Sequence, residues 1–150
     1  MARCACLQSV NFGECCKLTD RAAEHLARCA ALQSVDFADC YELTDRAAEH
    51  LARCACLAAE HLARCACLQS VDFGRCEELT DRAAEHLAAA EHLARCPCLQ
   101  SVNFDSCGKL TDRAAEHLAR CPCLQFVKYE RCGSSLLSSY SLLYSARLSW

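Results

Sequence analysis

The chain has 150 residues, 53% of them hydrophobic and 23% charged, which suits one domain with a packed core. A net charge of −3 and a pI near 6.0 exclude the clustered basic surface that phosphate backbones require, so nucleic acid is not an expected partner. No stretch approaches the roughly 20 apolar residues needed to span a bilayer, and the opening ten residues have neither a long apolar run nor a small-residue cleavage site.

In chain order, one pattern returns again and again. Leu-Gln-Ser-Val begins at Leu7, Leu32, Leu68 and Leu99, and comes back as Leu-Gln-Phe-Val at Leu124. Leu-Thr-Asp-Arg-Ala-Ala-Glu-His-Leu begins at Leu18, Leu43, Leu79 and Leu110. The first string alternates apolar and polar residues, so it predicts short strands centred near Val10, Val35, Val71, Val102 and Val127, each with one buried and one wet face. In the second, Thr and Asp (Thr44 and Asp45, for example) supply side-chain oxygens at a helix N-terminus. The strong helix formers from Arg46 to Arg53 and their equivalents follow. Each unit therefore reads strand, turn, helix.

Two units carry extra residues. Ala47–Leu57 is copied as Ala58–Leu68, and Ala83–Ala88 is copied as Ala89–Ala94. Eleven added residues make about three helical turns and return the apolar stripe to the same face, which predicts one long helix from Thr44 to about Cys65. Six added residues turn the helix by about 240°, so a kink, a loop or a rotated helix end is expected there. The repeat stops after Cys132. The solenoid is thus expected to span residues 1–132, and residues 133–150 form a divergent segment. Leu136, Tyr140, Leu143 and Arg147 lie at helical spacing there, and the segment reads either as a capping helix or as a frayed tail.

The pattern L-x-x-V-x-F-x-x-C-x-x-L-T-D stands whole at Leu7–Asp20, Leu32–Asp45, Leu68–Asp81 and Leu99–Asp112. It resembles the cysteine-containing leucine-rich repeats of F-box and related substrate-recognition proteins. The resemblance covers Ala2 to about Cys132 and implies a right-handed α/β solenoid, with about five parallel strands on a concave face and helices on the convex side. It implies protein binding on that concave face and, more narrowly, substrate recognition for a ubiquitin ligase. The chain contains no F-box, opens on what looks like the tail of a Leu-Ala-Arg-Cys helix, and has units about one residue shorter than the family's.

Because the units are so alike, their differences single out candidate contact residues. They gather on the solvent face of the strands: Asn11, Asp36, Asp72, Asn103 and Lys128 in the middle row, Phe126 where the other units have Ser, and Asp105 and Glu130 in the next row. Acids outnumber bases across these rows, and Asp36 and Asp72 should be stacked neighbours, which costs energy unless a cation or a basic partner meets them. A protein partner with a basic segment is expected, and Phe126 is the one large apolar anchor on the face.

The 17 Cys admit a disulfide framework or a reducing compartment. The odd count and the helix-rich composition favour the second, with Cys as a small apolar filler and a cytoplasmic or nuclear location. Cys15, Cys40, Cys76, Cys107 and Cys132 hold the turn after each strand and are expected to form a structural column. His25/Cys29, His50/Cys54, His61/Cys65, His92/Cys96 and His117/Cys121 lie at i,i+4, a spacing that could put two zinc ligands on one helical face, which keeps a Cys/His-rich metal-binding or redox protein as the alternative. Repetition of the whole unit explains these pairs more simply, so neither metal nor cofactor is expected. No nucleophile elbow, phosphate loop or paired-carboxylate motif appears, so no enzymatic activity is expected. The first strand has no cap on its outer edge and the duplications disturb the stacking, so marginal stability and self-association through the uncapped ends are expected.

Overall fold

The computed structural model describes residues 6–29, 31–57, 68–88, 99–121 and 124–133. Five three-residue strands alternate with four helices. These are β1 (Ser9–Asn11), α1 (Asp20–Leu26), β2 (Ser34–Asp36), α2 (Asp45–Leu57), β3 (Ser70–Asp72), α3 (Asp81–Ala88), β4 (Ser101–Asn103), α4 (Asp112–Leu118) and β5 (Phe126–Lys128). The strands make one parallel sheet in the order β1-β2-β3-β4-β5, and every neighbouring pair is in the same register, Val10 on Val35 on Val71 on Val102 on Val127. This is the α/β solenoid of leucine-rich-repeat type, each helix packed on the helices of adjoining units. Residues 58–67, 89–98 and 134–150 fall outside the described residues, and with them the long helix beyond Leu57, the kink and the capping helix.

Each unit turns its apolar residues into one continuous core. Leu32, Val35, Phe37, Cys40, Leu43 and Leu51 are buried, as are Leu68, Val71, Phe73, Cys76, Leu79 and Leu87 in the next unit and their counterparts in the one after. The phenylalanines stack: Phe12, Phe37, Phe73, Phe104 and then Tyr129 have successive ring centroids 5.8–6.0 Å apart with nearly parallel planes. Burial of one such ring is worth about 1.5–3 kcal/mol, and the offset stacking adds to it. Each ring stacks on the ring of the neighbouring unit, so the stacking is realised only between units.

Polar groups cross the same boundaries. The ladder runs on past the strands, with Phe37 N donating to Asp72 O (2.8 Å), Asp39 N to Gly74 O (2.8 Å), and Gln69 N and Ser70 N both to Gln33 O (2.7 and 3.1 Å). The helix-start Thr and Asp divide their labour differently from the sequence expectation. Thr44, Thr80 and Thr111 do accept a hydrogen bond from the amide two residues on, at 3.3–3.4 Å. The Asp instead reaches across to the following unit. Asp20 accepts from the Thr44 amide and hydroxyl (2.9 and 2.7 Å), Asp45 from those of Thr80 (2.8 and 2.7 Å), and Asp81 from those of Thr111 (2.7 and 2.5 Å). An acid near the helix's positive end is favourable in itself, and here it also staples two units together.

Just before each column cysteine the chain enters the left-handed region, at Glu14 (φ 66°), Asp39 (61°), Arg75 (59°), Ser106 (60°) and Arg131 (58°). Each costs about 1 kcal/mol relative to glycine. The recurrence shows that the geometry of the turn, rather than the residue type, is what the unit demands.

Asp45→Ala is expected to lower stability by about 1–3 kcal/mol, because it strips two partners from the half-buried Thr80. Asp45→Asn keeps an acceptor for the amide and should lose less; urea denaturation of both variants checks the order.

Candidate functional site

The strand register brings the varied rows together on the open face of the sheet. Asn11, Asp36, Asp72, Asn103 and Lys128 lie side by side across β1 to β5, with Phe126 beside Ser101. Asn11, Glu130 and Phe126 are exposed, and Asp36, Asp72, Asn103 and Lys128 are half-buried. Phe126 is 56% exposed, so a large ring stands in water at the end of a row otherwise made of serines.

The middle row also shapes the backbone. Asn11, Asp36, Asp72 and Asn103 each accept, through Oδ1, a hydrogen bond from the amide two residues on (Gly13 2.7, Ala38 2.9, Gly74 2.8, Asp105 2.8 Å). This Asx turn bends the chain off the strand. Asn and Asp perform it equally, so the turn does not require the negative charge at Asp36 and Asp72. Their stacking is eased by flanking amides: Asn11 Nδ2 donates to Asp36 Oδ2 (2.8 Å), and Asn103 Nδ2 donates to both oxygens of Asp72 (2.9 and 3.0 Å). Amide donors thus flank both carboxylates within the row.

Asp105 departs from its expected place on the contact surface. It is 8% exposed, and its Oδ2 takes Arg131 at 2.9 Å and Lys128 at 3.8 Å. A carboxylate so enclosed needs its cations, so Asp105 braces β5 against β4 and engages Lys128 as it does so. Tyr41 escaped the sequence analysis although it is 39% exposed. Its hydroxyl donates to Asp39 (3.0 Å), which also receives Arg75 (3.2 Å), and that hydrogen bond holds the Tyr41 phenol above its ordinary pKa. The available signal was an aromatic residue at a position occupied by Cys16, Glu77, Gly108 and Gly133 in the other units.

The column cysteines occupy the turns after the strands, but not uniformly: Cys40, Cys76 and Cys107 are buried, Cys132 is intermediate and Cys15 is exposed. Cys15 belongs to the outermost unit and has no preceding unit against it among the described residues. Each of the others donates its thiol to the phenylalanine carbonyl of the unit before: Cys40 to Phe12 (3.2 Å), Cys76 to Phe37 (3.3 Å), Cys107 to Phe73 (3.1 Å) and Cys132 to Phe104 (3.1 Å). Burial pushes Cys40 up to about 11 and Cys107 up to about 12 from the usual 9.0, and raises Cys76 and Cys132 as well. Such thiols are poor nucleophiles and poor metal ligands. No group of three or more His, Cys, Asp or Glu side chains is gathered for a metal among the described residues. Cys54 and Cys56 fall where side chains are not described, and His61, Cys65, Cys67, His92, Cys96, Cys98 and Cys123 fall outside the described residues altogether. Among the described residues, no helix is long and apolar enough to cross a membrane.

No family model matches the chain, and no curated protein matches it. Among solved structures it is similar to a chain from the crystal structure of the yeast Rad7 and Elc1 complex, with a TM-score of 0.56 and 20% sequence identity. The match covers 80% of this chain and 27% of that one. The fold is shared. This chain thus spans about a quarter of that neighbour's length.

The thiol environments predict graded reactivity. At pH 8 an alkylating reagent should label the exposed Cys6, Cys15 and Cys16 at once, and Cys40, Cys76 and Cys107 only on unfolding. Because the folded-state values of Cys40 and Cys107 are raised, the stability tied to those thiols is fully present below pH 9. It should fall as pH climbs from about 9 towards 11 and 12, and thermal melts across that window check the sign.

Proposed function

We propose that the chain is a non-catalytic protein-interaction module that holds a segment of a partner protein on the open face of its sheet. The observation that carries this reading is Phe126, more than half exposed at the end of β5 in the row where the other units have serine. A ring left in water is costly for a free surface, and aromatic residues dominate the energetics of protein interfaces. Asp36 and Asp72 support the same reading. Their turns could be made by Asn, so their negative charge is available to a partner bearing a basic segment. Solenoids commonly bind along this face, and the similar yeast chain comes from a complex of two proteins. The resemblance to F-box leucine-rich repeats extends the proposal to recognition of a substrate for a ubiquitin ligase, in a reducing cytoplasmic or nuclear compartment where the buried thiols persist.

The test is a capture experiment from native lysate, followed by titration with the captured protein. Phe126→Ser should weaken binding by about 2 kcal/mol or more and leave the melting temperature unchanged. Loss of stability with binding intact would instead make Phe126 part of the scaffold. The double variant Asp36→Asn/Asp72→Asn keeps both Asx turns, so it should retain the fold, slow association and flatten its dependence on salt.

A further inference from the structure

Away from the open face, the turns that follow the column cysteines form a row of their own along the rim where the strands exit. Cys16, Tyr41, Glu77 and Gly108 take the same place in successive units, and all four are exposed. The turns stack as the strands do: Lys109 Nζ meets Glu78 Oε2 at 2.6 Å, and Thr80 bridges to Lys109 in parallel. Tyr41, 39% exposed, has the units of β1 and β3 on its two sides, so its exposure is that of an inner position. Its placement is fixed from two directions. Cys40 and Leu43 are fully buried beside it, and its hydroxyl donates to Asp39 (3.0 Å), which also holds Arg75 (3.2 Å). A ring held in this way loses little freedom when a partner meets it. Beyond Glu77 the row is open, since a side chain at Gly108 would find nothing within 4 Å.

We propose that this rim is a second contact surface, on which the Tyr41 ring takes the guanidinium of an arginine-bearing protein segment, with Glu42 and Glu77 as counter-charges. Glu42 follows Tyr41 in the chain, and Glu77 stands in its place in the next unit. The nearby cations are already engaged, Arg75 by Asp39 and Lys109 by Glu78. Glu42 and Glu77 form no ion pair or hydrogen bond among the described residues, and Lys17, at Glu42's place in the first unit, forms none either. A purely apolar partner would strip water from these carboxylates and return nothing to them. A guanidinium serves both features at once: its flat face stacks on an aromatic ring while its edge donates to carboxylates. An ammonium is a more strongly hydrated point charge and fits the ring less well. The rim lies apart from the open face proposed to hold a partner, so either assignment can fail without the other.

The test is a titration of the isotope-labelled full chain, in reducing buffer, with two capped peptides, Gly-Ser-Arg-Ser-Arg-Ser-Gly and the same sequence with Lys in place of Arg. Amide chemical shifts report both the site and the affinity. The arginine peptide should move the amides of Tyr41, Glu42 and Glu77 and should bind more tightly than the lysine peptide. Tyr41→Leu should weaken the arginine peptide by about two- to fivefold and erase the preference, whereas Tyr41→Phe keeps the ring and the preference. Glu77→Gln should weaken both peptides and flatten their dependence on salt, and it decides the matter if Tyr41→Leu does not fold. A response that lacks Tyr41, Glu42 and Glu77 would overturn the proposal, and shifts confined to Asp36, Asp72 and their strand neighbours would do so while leaving the open-face reading intact. Equal binding of the two peptides, or full binding by either folded variant, Tyr41→Leu or Glu77→Gln, would overturn it as well.

Discussion

Everything in this molecule depends on the boundary between one unit and the next. A strand of three residues and a helix of 7 to 13 residues cannot stand alone. The phenylalanine stack, the backbone ladder, the thiol-to-carbonyl bonds and the Asp-to-Thr staples all join a unit to its neighbour. Stability in such an arrangement is close to a sum of nearest-neighbour terms. Inner units gain two boundaries and outer ones fewer, which is why equivalent residues differ so much in exposure between the first unit and the second. Cys15 and Cys40 occupy the same place in the motif, and one is exposed while the other is buried.

The dependence on neighbours also explains where variation is tolerated. Residues that face a boundary must match on both sides, and they barely change along the chain. The open face is held less tightly, and Ser becomes Phe at position 126 with the register of β5 on β4 unchanged. The middle row is intermediate. Its oxygen is held by the Asx turn, leaving only the choice between amide and carboxylate, and at Lys128 even the turn-forming oxygen is given up for a cation that leans on Asp105.

The strands, their parallel register, the inward Leu, Val and Phe and the turn cysteines were legible in the sequence because periodicity reports which face of an element is buried. What periodicity does not report is the identity of the group across a boundary. Asp45 reads as a cap for its own helix, and only three-dimensional stacking reveals that Thr80, 35 residues away, lies opposite its carboxylate. Asp105 reads as a surface acid for the same reason: the cations that enclose it come from the following unit. The Asx turns were hidden in a different way, because a row of Asn and Asp on a solvent face looks the same whether the side chains are free or bent back onto the backbone. The placement of the varied residues on one face was readable; the degree to which each is already engaged was not.

Native-state amide hydrogen exchange tests the nearest-neighbour account most directly. The amides of Phe37, Phe73 and Phe104 each donate across a boundary, to Asp72, Asn103 and Lys128. If the boundaries hold the fold together, the three should be strongly protected, and Asp45→Ala should raise exchange at Phe37, whose boundary it weakens, more than at Phe104. Exchange of all three near the rate of an unstructured peptide, or an equal response at Phe37 and Phe104, would contradict it.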